Sequence, residues 1–200
     1  MEDKYYTIEK SSEGFFKDRG SKFLAFAYPI KEPTDVKQKL ESLKNQFYDA
    51  RHHCYAYVTG YDSSVTKSSD DGEPRHSAGD PILGQIRSHD LTNVLVVVVR
   101  YFGGTRLGVS GLINAYRSAA QEALSNARKV EKHVMALFKI KFAYAKMNDI
   151  MKIIHDEALE IKEQRLEMEC EMVVAVRKSK GSILVNKLKP HYTIKWEILK

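Results

Sequence analysis

The sequence predicts an α+β chain of two domains: an N-terminal α/β domain over residues 1–130 and a C-terminal ferredoxin-like βαββαβ domain over 131–200. Three observations carry this. Val94–Val99 is an unbroken aliphatic, mostly β-branched run, the mark of a strand buried on both faces. A glycine-rich turn follows, and then apolar residues at helical spacing, Leu112, Ala115, Tyr116, Ala119 and Ala123. From His133 the pattern restarts and gives strand, helix, two strands, helix and strand, the order of the split βαβ arrangement.

Taken in order, Tyr5–Ser11 and Lys22–Ile30 read as strands, with Gly14 and Gly20 punctuating the section between them. Pro33-Thr34-Asp35 opens a helix to about Phe47, its stripe formed by Val36, Leu40, Leu43 and Phe47. Arg51–Thr59 alternates as a strand, with His52, Cys54, Ala56 and Val58 on one face and His53, Tyr55 and Tyr57 on the other. Ser68–Pro81 is polar and rich in Gly and Pro, hence a loop, and a short helix follows to Ser88. The helix after Gly108 is expected to end near Val130. In the second domain the strands are Met135–Phe142, Leu159–Glu163, Glu167–Val176 and His191–Leu199. Its helices are Lys146–Glu157 and Lys180–Leu188.

The formal net charge of +6 is compatible with an anionic partner, and no basic tail or block concentrates it. The longest aliphatic run is far too short to cross a bilayer, and the N-terminus shows no secretory leader. Cys54 and Cys170 are isolated, with no CxxC pair, which fits a reduced, cytoplasmic setting.

Arg100-Tyr101-Phe102-Gly103-Gly104-Thr105-Arg106-Leu107-Gly108 joins the buried strand to the long helix. Glycines admit close backbone approach and a helix N-terminus adds partial positive charge, so Arg100, Gly103, Gly104 and Arg106 are the candidate anion ligands. No GK[ST] makes the turn a Walker loop, its glycines do not give GxGxxG, and Leu112 stands where a nucleophile elbow needs glycine. His53, Tyr55 and Tyr57 would form a stacking strip for unpaired bases, with Arg51 as a further phosphate contact, or else pack beneath a helix. Asp70, Asp71 and Glu73 would border the same cleft, as hard ligands for Mg²⁺ or a general base, or else serve as turn residues. His52 and Cys54 are too few for a zinc site. No cofactor and no metal are expected.

Three stretches, RHHCYAY (51–57), SSDDGEP (68–74) and NVLVVVVRYFGGTRLGVSGLINAY (93–116), occur in the order seen in the Impact/YigZ family, which the whole chain resembles. The resemblance implies an N-terminal domain like the second domain of ribosomal protein S5. It also implies a C-terminal domain like the last domain of elongation factor G. Both folds recur in proteins that touch the ribosome or its RNA. The function expected is therefore a cytoplasmic, non-enzymatic protein that contacts the ribosome or structured RNA and regulates translation. The other reading is an enzyme acting on a phosphorylated small molecule or nucleotide, with the glycine-rich turn as its phosphate site.

Overall fold

The structure is a computed structural model that describes residues 3–199. Met1 and Glu2, part of the segment read for a leader, lie outside the described residues, as does Lys200. The chain divides into two compact units, Tyr5–Lys132 and His133–Lys200, the second taking in the N-terminal residues through Lys4.

In the first unit, β2 (Ser12–Asp18), β3 (Ser21–Pro29), β4 (His52–Thr59), β5 (Val65–Ser69) and β6 (Val94–Tyr101) form one antiparallel sheet in the order β2-β3-β6-β4-β5. The aliphatic run is its central strand, and Val94 through Val99 are fully buried. Burying each such side chain contributes roughly 1.5–3 kcal/mol. One face packs Phe23, Ala25, Cys54, Ala56, Val96 and Val98 against α2 (Gly79–Ser88) and α3 (Gly108–Ser125). The other packs Phe26, Tyr57, Leu95, Val97 and Val99 beneath α1 (Pro33–Gln46). A capping box starts α1, the Asp35 carboxylate accepting from the backbone N–H of Lys31 and Glu32.

Three strands escape the sequence pattern. β2 crosses Gly14, which reads as punctuation; a Cβ there would lie 2.3 Å from the Ala123 backbone nitrogen, so the glycine serves close approach of α3. β5 is polar and mostly exposed, held by its ladder to β4. β7 (Lys129–His133) pairs with β1 (Lys4–Ile8) as a separate two-stranded ladder, so α3 ends at Ser125.

The second unit orders β8 (Met135–Ala143), β9 (Glu160–Arg165), β10 (Glu169–Arg177) and β11 (Lys195–Leu199) as β11-β8-β10-β9, all antiparallel. With α4 (Met147–Asp156) after β8 and α5 (Gly181–Leu188) after β10, this is the ferredoxin-like βαββαβ fold. Phe138, Ile140, Phe142, Met172 and Val174 face Ile150, Ile154 and Leu184 across its core. The last strand is shorter than the alternation predicts: Tyr192 is 97% exposed in the turn before it. Among the described residues no helix is long and apolar enough to cross a membrane.

Candidate functional site

The antiparallel register places His52, the first residue of β4, opposite Arg100 near the end of β6, and Phe23 of β3 opposite Arg100 on its other side. Arg100 therefore projects from the α2/α3 face at one end of the sheet. Its side chain is 7% exposed, and its Nη1 donates to Glu73 Oε1 at 2.6 Å; the Glu73 side chain is 4% exposed. The Tyr116 hydroxyl of α3 donates to the same oxygen at 2.7 Å, and the Cys54 thiol lies 3.3 Å from that hydroxyl. Burial pushes the Cys54 thiol and the Tyr116 phenol far above their ordinary ranges, so both stay protonated. This is a buried network that straps the polar loop to the sheet, and its thiol has no nucleophilic character.

The rest of the loop is held as firmly. The Asp70 carboxylate accepts from the backbone N–H of His76, Ala78 and Gly79, closing the N-terminus of α2. Asp71 Oδ2 accepts from the His53 N–H at 2.7 Å, and the Asp71 carbonyl lies 2.8 Å from His52 Nδ1. Asp71 and Gly72 take positive φ, as tight turns demand. Each of these three carboxylates, Asp70, Asp71 and Glu73, thus already has a partner within the protein, as turn and capping residues do. Among the described residues no group of three or more His, Cys, Asp or Glu is placed to hold a metal.

The glycine-rich turn is built the opposite way. Phe102 through Arg106 are exposed, Phe102 at 58%. Arg106 has no hydrogen bond or ion pair among the described residues. The N-cap of α3 is Leu107, with no side-chain cap and no acid in the first turn, so the first N–H groups of an 18-residue helix face solvent unclaimed. Two shallow grooves meet at this end of the sheet. One, of about 580 Å³, is lined by Asp49, Arg51, His52, Arg100, Tyr101 and Phe102. The other, of about 510 Å³, is lined by Phe15, Lys22, Leu24, Tyr101 and Phe102. The Tyr101 hydroxyl donates to Asp49 at 2.7 Å, a bond that, helped by burial, pushes the phenol up to about 12.

Residues 19–124 match the Impact N-terminal domain. The chain is 30% identical to the IMPACT family member YvyE of Bacillus subtilis over 159 residues, 80% of this chain and 73% of that protein. To the IMPACT family member YigZ of Escherichia coli it is 36% identical over 121 residues, 60% of this chain and 59% of that protein. The chain belongs to the IMPACT family. A crystal structure described as that of a hypothetical protein matches 100% of this chain and 99% of its own, at 25% identity and a TM-score of 0.79. The structure of Yih1, described as a two-domain translational regulator, covers 61% of this chain and 47% of its own, at 28% identity and a TM-score of 0.37.

In this IMPACT-family chain the proposed stacking strip is not on the surface. His53 is 5% and Tyr57 8% exposed beneath α1, and Tyr55 is half-buried beside them. Desolvation lowers the His53 pKa and keeps the ring neutral there. The alternation along β4 is as the sequence reads; which helix covers which face is what periodicity does not reveal. Gly103 is also reassigned. A Cβ on it would lie 1.9 Å from the Gly20 backbone carbon, so it is glycine to pass the β2–β3 turn. Gly104, at φ +89° with open space around it, keeps the turn's conformation and its exposure. Arg100 and Arg106 belong to different environments, one locked and one free. The surface aromatics at this end are Phe102, Tyr101 and Phe15, and the added cations are Arg51 and Lys22. Phe102 sits inside the motif itself; an aromatic residue in a glycine-rich turn between two arginines was the available signal.

Proposed function

We propose that the N-terminal unit contacts RNA, the ribosome's foremost, through the glycine-rich turn, and that the protein acts on translation as a non-enzymatic cytoplasmic factor. The observation that carries this reading is the exposed turn itself. It offers an Arg106 with no partner among the described residues, a helix N-terminus without a side-chain cap and an exposed Phe102 within a few residues of one another. Phosphates are held by such cations and N–H groups, and unpaired bases by such rings. The description of Yih1 as a translational regulator points the same way, but the weight rests on this chain's own surface. In the enzymatic reading the turn would hold the anion, while Asp70, Asp71 and Glu73 already accept hydrogen bonds from within the protein, which favours the binding reading.

Co-sedimentation with ribosomes and separated subunits across a salt series tests it. Saturable binding whose logarithm falls linearly with the logarithm of salt concentration is expected. No binding at low salt overturns the reading and leaves the turn to a small phosphorylated ligand.

A further inference from the structure

Arg100 carries one polar atom the network leaves out. Its Nη1 holds Glu73, but Nε is buried without a hydrogen-bond partner among the described residues. Arg100 lines the 580 Å³ groove whose other cation, Arg51, is exposed and has no partner among the described residues. Glu73 neutralises Arg100 and the Asp49 carboxylate offsets Arg51, so Arg51 serves as an exposed cation in a groove of no net formal charge. The groove's acid, Asp49, already has its Oδ1 engaged by the Tyr101 hydroxyl. His52 Nδ1 faces the Asp71 carbonyl, an acceptor only, so Nδ1 donates and Nε2 is left to accept. The guanidinium carbon of Arg100 lies 5.6 Å from the centre of the Phe102 ring, over one face, and the ring is otherwise exposed.

We propose that this groove is a nucleotide subsite: a phosphate sits against Arg51, and the attached base stacks on the open face of Phe102. His52 Nε2 accepts from a sugar hydroxyl. The proposal rests on the RNA reading above and narrows it, because a base seated on Phe102 must be unpaired. Double-stranded RNA offers phosphates but no free ring faces. The same chemistry is available from a single strand or from a free nucleotide.

Fluorescence anisotropy with a short unstructured RNA, competed by an RNA duplex and by adenosine monophosphate, tests the subsite in wild type, Arg51→Ala and Phe102→Ala. The strand is expected to bind, and each substitution to weaken it about tenfold with the melting temperature unchanged. The duplex is expected to compete poorly. Competition by the mononucleotide identifies a free nucleotide as sufficient; its failure, with strand binding intact, identifies the strand as the source. Strand binding that neither substitution alters overturns the subsite and leaves the RNA reading standing. Absence of binding to the strand, the duplex and the ribosome overturns that reading. Mononucleotide binding lost in Arg51→Ala would preserve the subsite even then.

Discussion

Two polar, glycine-bearing connections lead into helices of the N-terminal unit, and they are built in opposite ways. The Asp70–Gly79 loop spends its side chains on the protein: Asp70 closes α2, Asp71 holds β4, and Glu73 pairs with Arg100 and Tyr116. The turn from Phe102 to Gly108 leaves α3 without a side-chain cap, Arg106 without a partner among the described residues and Phe102 exposed. Composition alone makes the acidic loop look more chemical, with three carboxylates in four residues. A group satisfied within the fold has little left for a ligand, whereas an unsatisfied one on a surface is available. The difference between stabilising and binding lies in the partners.

Substitutions separate the two kinds of connection, and the largest effect falls on the acidic loop. Glu73→Ala strands the buried guanidinium of Arg100, and should cost about 3–5 kcal/mol in denaturant unfolding. Asp70→Ala removes the acceptor for three backbone N–H groups, and should cost about 2 kcal/mol by the same measurement. A loss under about 0.5 kcal/mol in either would show that the loop is not the strap described.

The first turn of α2, which the acidic loop leads into, should also respond to pH. Hydrogen bonds from His76 and then Ser68 hold the Asp80 carboxyl below its ordinary 3.8. The folded state thus binds that proton less tightly than the unfolded chain. The stabilisation is complete above that ordinary value and is lost as pH falls through the lowered one. Asp80→Asn should lower the melting temperature at neutral pH and bring it level with wild type below that acid window, so that the fall across the window is flattened. An identical acid profile in the variant would remove Asp80 from the account.

The C-terminal fold was legible because its elements are short, strongly periodic and met in a diagnostic order; the observed β11-β8-β10-β9 sheet follows from it. β2, β5 and β7 were not, because glycine at a close helix approach and polar residues on an edge strand look like loop. The site was half legible. The motif holding Phe102 and Arg106 stands out, but the partner that locks Arg100 is Glu73, 27 residues away. No local pattern announces that pairing. Similarly, alternation groups His53 with Tyr57, and only the placement of α1 decides that this face is buried.

The most direct test of the central claim is Arg106→Ala, measured side by side for stability and for ribosome affinity. The account predicts a change in unfolding free energy within about 0.5 kcal/mol. It also predicts weaker binding, with the salt dependence reduced by about one phosphate contact. Undiminished affinity at low salt, or a loss of affinity that merely tracks a loss of stability, would contradict it.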